Sequence, residues 1–150
     1  MINGITDFCK AKEEGWTFIE TLIVIGIVII LTGSISFMGM KYLEKAKVVS
    51  AKTEIQALSM ALESYYLDNG AYPSEDQGLE ALWEKPTLSP VPDSWDGPYV
   101  SKNDFFDPWQ TDYVYQNPGE YDLPFTISSY GSDAYPGGED KASDINSWED

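Results

Sequence analysis

The sequence predicts an α+β fold in which one long N-terminal helix packs on a small antiparallel β-sheet. Three observations support this prediction. Residues 16–40 are apolar or small apart from Glu20. Apolar residues continue at helical spacing from Ala46 to Tyr66, which indicates that the helix extends well beyond this run. After Gly70 the sequence consists of short segments rich in aromatic residues, proline and glycine, a composition typical of strands and turns.

The composition argues against several classes of protein. The 150 residues suffice for a single domain. Because 25 acidic residues oppose 9 lysines, the formal net charge is -16, and such a surface repels the phosphates of nucleic acids. The chain has no histidine, so the commonest general base is missing and an enzyme is not expected. The single cysteine, Cys9, excludes an intramolecular disulfide bond.

The first half of the long helix has the length of a membrane span. At about 1.5 Å per residue, residues 16–40 would cross a hydrocarbon core of roughly 30 Å. The apolar region of a secretory signal peptide is shorter, about 7 to 15 residues, so we interpret this segment as a transmembrane helix. The helical pattern ends at Asp68-Asn69-Gly70, which predicts an amphipathic second half over residues 41–69.

Glu20 is the one charged residue within the predicted span. A carboxylate there costs about 2.5 kcal/mol or more, so a partner or a functional role is the default expectation. Alternatively, Glu20 lies at the level of the lipid headgroups near the start of the helix, where the helix dipole tolerates an anion.

Residues 70–150 predict an acidic globular domain. A short helix is expected over residues 77–84, followed by a proline-rich loop over residues 86–97. Residues 113–115 and 125–128 are the predicted strands, because both are rich in β-branched or aromatic residues and a turn signal at 117–119 separates them. Four aromatic residues are expected to lie in the core or to pin loops rather than to form a ligand site: Trp83, Trp95, Trp109 and Tyr115.

The region from Ser128 to Ile145 concentrates oxygen donors in a glycine-rich loop. Calcium takes six to eight oxygen ligands from carboxylates, hydroxyls and backbone carbonyls, and a flexible loop can supply them. The spacing is not that of an EF-hand, and acidic glycine-rich loops are also common as solvated surface. From the residues alone, both interpretations stay open.

The segment Gly15-Trp16-Thr17-Phe18-Ile19-Glu20, followed by an uncharged apolar run, resembles the signal peptide of type IV pilins and pseudopilins. The resemblance implies a type IV pilin-like fold. It also implies that a prepilin peptidase cuts between Gly15 and Trp16 and methylates the new amino terminus. Glu20 would then pair with the N-terminal amine of a neighbouring subunit during assembly. Two features depart from the family pattern: Trp16 stands where phenylalanine is usual, and Glu13-Glu14 make the leader less basic.

The resemblance divides the chain into four segments. Residues 1–15 are the leader, which is removed; residues 16–40 are the transmembrane and assembly half of the helix. Residues 41–69 are its amphipathic half, and residues 70–150 form the globular domain.

Motifs in the globular domain narrow the resemblance to the major pseudopilins of type II secretion. In chain order they are Tyr66-Leu67-Asp68-Asn69-Gly70-Ala71-Tyr72-Pro73, Glu75-Asp76-Gln77-Gly78-Leu79-Glu80-Ala81-Leu82, Trp95-Asp96-Gly97-Pro98-Tyr99, Asp107-Pro108-Trp109, Tyr113-Val114-Tyr115 and Asn117-Pro118-Gly119. The resemblance implies a major structural subunit of a periplasmic pseudopilus that drives secretion of folded proteins across the outer membrane. Its expected partners are further copies of itself, minor pseudopilins, the inner-membrane assembly platform and the prepilin peptidase.

The same resemblance implies a single-pass protein of the inner membrane with its globular domain in the periplasm. Charge counting disagrees, because lysines favour the cytoplasmic side and more of them follow the span than precede it. Those before it are Lys10 and Lys12, and those after it are Lys41, Lys45, Lys47 and Lys52. We give the resemblance more weight, because the later lysines alternate with glutamates along a helix expected to line a filament.

The resemblance also strengthens the calcium interpretation. Asp133 and Asp144 fall on two aspartates that hold a structural calcium ion in the family, and the Tyr130 carbonyl falls on a backbone ligand. Weaker candidates are Ser132, Glu139 and Asp140. Ala134 replaces the usual glycine, and Ser143 stands where some members have a further aspartate; both departures are expected to lower affinity.

Two other functions are weighed against this interpretation. The first is the major pilin of a type IV pilus, used for adhesion or motility; such pilins usually end in a disulfide-bounded loop, which this chain cannot form. The second is a membrane-tethered enzyme with two catalytic carboxylates, which would need to lie about 5 to 10 Å apart in a cleft. No spacing in the sequence indicates such a pair.

Overall fold

The computed structural model describes residues 17–138 and 142–149, and the side chains of residues 34–38 are not among those described. The chain divides into two compact units, Met1–Met40 and Lys41–Asp150. Its elements are helix α1 (Phe18–Asn69), a 3-10 helix (Leu79–Leu82), strand β1 (Val114–Gln116), a second 3-10 helix (Glu120–Asp122), strand β2 (Thr126–Ser129) and strand β3 (Ile145–Asn146). The predicted α+β fold, a long helix with a small antiparallel sheet, is confirmed.

In the first unit, α1 begins with a threonine cap. The Thr17 Oγ1 accepts a hydrogen bond from the Glu20 backbone N–H at 3.3 Å, and the Thr17 carbonyl accepts one from Thr21 at 3.2 Å. A side-chain oxygen at this position satisfies a backbone donor that the helix itself leaves unpaired. The described apolar side chains that follow are largely exposed; Phe18, for example, is 80% exposed.

No helix in residues 17–138 and 142–149 combines the length and apolar character required of a membrane span. The single-pass topology stays a prediction.

The C-terminal end of α1 is also set by local chemistry. The N–H of Gly70 donates to the Tyr66 carbonyl at 2.8 Å, and Gly70 has a φ of 73°. Glycine adopts this left-handed conformation without the penalty that a Cβ brings, so it ends a helix efficiently. The helix ends at Asn69, within the predicted end signal at residues 68–70.

In the second unit, one face of α1 forms a core with the sheet and the first 3-10 helix. Leu62 and Ile127 are 0% exposed. The core residues on α1 recur every three or four positions, as expected for one helix face. The core consists of Ala51, Ile55, Leu58, Ala61, Leu62, Tyr65, Leu79, Ala81, Leu82, Tyr113, Tyr115, Ile127 and Ile145.

The three strands pair in the order β1-β2-β3, and both pairs are antiparallel. Tyr115 lies opposite Ile127, and Ser129 lies opposite Ile145. All four residues of β2 are buried, as expected of the central strand. The predicted strands at 113–115 and 125–128 each begin and end one residue later in the structure, and the prediction missed β3.

The short helix predicted over residues 77–84 is wrong in extent and type. The structure has only a four-residue 3-10 helix, Leu79–Leu82, because Gly78 has a φ of 63° and interrupts the helical path. The predicted proline-rich loop is confirmed, since residues 86–97 contain neither helix nor strand. The buried Gln77 holds this loop by donating to the carbonyls of Leu88 and Pro90, each at 2.8 Å.

Candidate functional site

The candidate calcium loop, here called the C-terminal loop (residues 130–144), connects β2 to β3. Ser129, the last residue of β2, is paired with Ile145, the first residue of β3. Tyr130 follows this pair at the end of β2 and Asp144 precedes it at the start of β3, so both lie at the mouth of the loop. Two of the predicted calcium ligands therefore lie at the same end of the loop.

Inside the loop, two aspartates accept hydrogen bonds from backbone N–H groups. The Asp133 Oδ1 accepts one from Tyr135 at 3.2 Å, and the Asp144 Oδ2 accepts one from Gly137 at 2.9 Å. Ala134 has a φ of 59°, in the left-handed region that costs an L-residue roughly 1 to 2 kcal/mol. A glycine at position 134 would adopt this conformation without that cost, but this chain has an alanine there.

In the described part of the loop, one side-chain atom is buried without a partner. The Asp144 Oδ1 is buried and has no hydrogen-bond partner among the residues that the structure describes. A buried polar atom in that condition is unfavourable unless something else satisfies it. A cation at the loop mouth would do so. The two aspartates and the Tyr130 carbonyl are oxygen donors of the kind that calcium prefers, so the residues present fit the ion.

The other candidate ligands are Ser132, Glu139 and Asp140. Ser132 lies in the exposed part of the loop, and Glu139 and Asp140 lie outside the described residues. Within the described part of the chain, no group of three or more His, Cys, Asp or Glu side chains is placed to hold a metal ion. A calcium ion here would therefore depend on backbone and hydroxyl oxygens as well as on carboxylates.

Another carboxylate, that of Asp107, is buried and only 1% exposed. It lies beside residues 129–131 at the start of the C-terminal loop, which we call the loop root. Its Oδ1 accepts hydrogen bonds from the backbone N–H groups of Trp109 and Thr111, both at 2.9 Å. Its Oδ2 accepts one from the Ser129 hydroxyl, and the Ser129 Oγ in turn accepts the N–H of Gly131 at 3.2 Å. We call these residues the Asp107 network.

Asp107-Pro108-Trp109 is one of the motifs that resemble the family, but no role was predicted for Asp107 from the sequence. A usable signal was present, since an aspartate before proline often accepts a hydrogen bond from the backbone two residues on. The bond to Ser129 could not be read from the sequence, because it joins residues 22 positions apart.

Trp109 and Tyr113 connect the same region to α1. The Trp109 indole N–H donates to the Glu44 carboxylate at 3.2 Å, and the Lys47 ammonium lies 5.7 Å from the Trp109 ring centroid, a cation–π distance. The Tyr113 hydroxyl donates to the Glu54 carboxylate at 2.7 Å. Burial, followed by this carboxylate, raises the pKa of Tyr113 above its ordinary value.

Most of the aromatic residues singled out from the sequence pin loops or fill the core, as expected. The Trp95 indole N–H donates to the Ala81 carbonyl at 2.9 Å, and the buried Tyr115 donates to the Pro73 carbonyl at 2.8 Å. Trp83 is 36% exposed, so it is a surface aromatic rather than a core residue.

The residues predicted for processing and assembly fall at the start of the described chain. Gly15 and Trp16 lie outside the described residues. Glu20 lies in the first turn of α1 and is exposed, which agrees both with a dipole-tolerated anion and with a group awaiting a partner. Its pairing with a neighbouring amine stays a prediction.

A cavity of about 400 Å³ lies beside α1 and is lined by Glu54, Asp104 and Tyr113, among others. Glu54 accepts hydrogen bonds there from Tyr113 and from the Ser50 hydroxyl.

Comparison with known proteins identifies one family. Residues 39–148 match the sequence profile described as type II secretion system, protein G. The type II secretion system core protein G of Pseudomonas aeruginosa is 41% identical over 140 residues, which cover 93% of this chain and 98% of that protein. The core protein G of Vibrio cholerae is 40% identical over 140 residues, covering 91% of this chain and 92% of that protein.

A solved structure shares the fold. The crystal structure of the major pseudopilin from the type 2 secretion system of enterohaemorrhagic Escherichia coli matches with a TM-score of 0.62 and 39% sequence identity, and the match covers 73% of this chain and 92% of that one. These relatives carry the names of secretion-system core components rather than of enzymes.

Proposed function

The chain belongs to the type II secretion system protein G family, and we propose that it is the major subunit of a periplasmic pseudopilus that drives secretion of folded proteins across the outer membrane. It is a structural protein, not an enzyme. The observation that carries the proposal is 41% identity to a core protein G across 93% of the chain. The long helix with a compact sheet domain supports it, because a fibre subunit needs a rod for assembly and a folded head.

The exposed apolar surface of the first unit supports assembly through the helix. Phe18, Ile23 and Ile29 are each more than half exposed. Contiguous exposed apolar residues mark a surface that contacts lipid or another protein. We propose that this segment lies in the inner membrane before assembly and contacts copies of itself in the fibre, with the globular domain in the periplasm.

We propose that a prepilin peptidase removes residues 1–15 and that Trp16 becomes a methylated amino terminus. The other partners would be minor pseudopilins and the inner-membrane assembly platform. Mass spectrometry of the membrane form tests the processing step directly: the expected N-terminal residue is a methylated tryptophan, and a chain that keeps its first fifteen residues would refute it.

Glu20 supplies the proposed assembly mechanism. The peptidase creates a cationic amine at Trp16, and a carboxylate in a low-dielectric setting is costly until it is paired. Pairing Glu20 with the amine of a neighbouring copy neutralises both charges in one register. Fibre growth would then be favoured over the isolated subunit in the membrane.

The experiment that tests the mechanism is replacement of the charge. Glu20→Leu should leave the amount of protein in the membrane fraction unchanged but abolish fibres, scored by electron microscopy of sheared material and by cross-linking. Glu75→Leu is the matched control, because Glu75 is exposed on a turn of the globular domain, and this variant should form fibres. Normal fibres from Glu20→Leu would overturn the proposed role.

We further propose that the C-terminal loop binds one structural calcium ion through Asp133, Asp144 and the Tyr130 carbonyl, with Ser132 and Asp140 as additional oxygen donors. The unpartnered oxygen of Asp144 supports this proposal. Calcium would cross-link the two ends of the loop and hold the second and third strands in register.

A further inference from the structure

We infer that Asp107 is the residue that positions the C-terminal loop and ties it to α1. The inference concerns a residue outside the proposed calcium ligands, and only its effect on calcium affinity rests on the proposed function. The carboxylate is hydrogen-bonded both to the loop root and to the turn that carries Trp109.

On the loop side, Asp107 acts through Ser129, which is 0% exposed. The Ser129 hydroxyl donates to Asp107 and accepts the N–H of Gly131. Those two bonds hold the residues on both sides of Tyr130, so they set the direction of the Tyr130 carbonyl. A hydrogen bond to a charged group is stronger than one between neutral groups, which makes this an effective anchor.

On the helix side, Asp107 acts through the backbone of Trp109. Its other oxygen accepts two N–H groups, those of Trp109 and Thr111, and thereby closes the turn that carries the indole ring. The ring then reaches Glu44 on α1. A single buried carboxylate is thus bonded to the root of the loop and to the turn that contacts the helix.

If Asp107 only stabilised the domain in general, its loss would weaken the whole domain evenly. A positioning role predicts instead that the loss affects only certain groups. Loss of the carboxylate should release two separate groups: the backbone of the loop root and the indole N–H of Trp109. Loss of the Ser129 hydroxyl should release the loop root alone, because it leaves the bonds to Trp109 and Thr111 in place.

Amide and indole hydrogen exchange, followed by NMR on the full-length chain in detergent micelles without calcium, tests this pattern. In Asp107→Ala, the Gly131 N–H and the Trp109 indole N–H should both exchange about 10-fold faster or more, as expected for the loss of charged hydrogen bonds. In Ser129→Ala, only the Gly131 N–H should do so. Asp112→Ala is the matched control, because Asp112 is exposed, and neither rate should change.

Calcium titration of the same proteins adds a second measurement. Residues that orient metal ligands typically change affinity by about 10- to 100-fold when they are replaced, so Asp107→Ala and Ser129→Ala should raise the calcium dissociation constant by about 10-fold, and Asp112→Ala should not. If the wild-type chain binds no calcium, the proposed metal role fails, and the exchange rates still decide the inference. If Asp107→Ala does not fold, Asp107→Asn takes its place: its remaining oxygen can still accept the N–H groups of Trp109 and Thr111, so only the Gly131 N–H should exchange faster. An unchanged Gly131 exchange rate in the Asp107 variants would overturn the inference.

Discussion

Asp144→Asn should change the stability of the globular domain in opposite directions with and without calcium. The substitution keeps an oxygen to accept the N–H of Gly137, which the Asp144 Oδ2 now accepts at 2.9 Å. It replaces the buried, unpartnered Oδ1 and removes the negative charge. Burying an unpartnered neutral amide costs less than burying an unpartnered charged oxygen, so the metal-free protein is stabilised, whereas the calcium-loaded protein loses a ligand.

The two magnitudes can be set against each other. A buried unsatisfied polar atom costs about 1 to 3 kcal/mol, and more when it is charged; because the substitution removes the charge, the variant without calcium should be more stable by about 1 kcal/mol. Calcium at about 100 times its dissociation constant stabilises the wild-type domain by about 2.7 kcal/mol. If the variant no longer binds the ion, the wild type should then be the more stable by about 1.7 kcal/mol.

Thermal unfolding followed by circular dichroism measures both differences on the full-length chain in detergent, first with a chelator and then with calcium. One kcal/mol corresponds to about 4 to 8 °C in the melting temperature of a domain of this size, so the reversal is measurable. Magnesium should not substitute, because it demands a tighter octahedral geometry. Asp76→Asn, on an exposed turn, should behave as wild type. A variant that is destabilised equally in both conditions would refute the reasoning.

Three further predictions follow from the core, the buried tyrosines and the proline-rich loop. Leu62→Ala removes a side chain that is 0% exposed and should lower the free energy of unfolding, measured in urea, by about 2 to 5 kcal/mol. Leu67→Ala, on the exposed face of the same helix, should change that free energy by less than about 0.5 kcal/mol. Equal losses in the two variants would contradict the assigned core. The pKa of Tyr113 is raised in the folded state, so its contribution to the stability of the fold is complete below the unfolded pKa of about 10 and is lost as the pH rises above it. Circular dichroism against pH should therefore show alkaline unfolding that is less steep in Tyr113→Phe than in the wild type. An unchanged slope would exclude this tyrosine as a cause of the alkaline unfolding. Gln77→Ala removes both hydrogen bonds to the proline-rich loop and should speed proteolytic cleavage there, whereas a resistant loop would show that other contacts hold it.

Much of the fold could be predicted from the sequence where the determining interactions are local. Helix α1 was located to within two residues at each end, because a backbone hydrogen bond in a helix joins residues four apart and the end signal at Gly70 is carried by that residue itself. The first two strands were located to within one residue, since their composition and the turn between them are local too. The threonine cap was missed, although Thr17 and Glu20 have the spacing of a capping box.

The errors in the prediction arose where a distant contact or a backbone angle determines the local structure. The short helix was overextended because a glycine at position 78 does not by itself reveal its φ of 63°. Strand β3 has two residues, and its existence depends on pairing with β2, sixteen positions earlier. Asp107 had the local signal of a turn, but its burial and its bond to Ser129 exist only once the sheet has formed.

The candidate site divides in the same way. The sequence by itself determined that the chain has a long apolar helix start with one acid, no histidine, and a C-terminal region rich in oxygen donors. Only the tertiary structure decided that Tyr130 and Asp144 lie together at the mouth of the loop, that one oxygen of Asp144 has no partner among the described residues, and that Asp107 anchors the loop root. The physical reason is range: residue types and helical periodicity are encoded in neighbouring positions, whereas burial and strand pairing require parts of the chain far apart in sequence to meet.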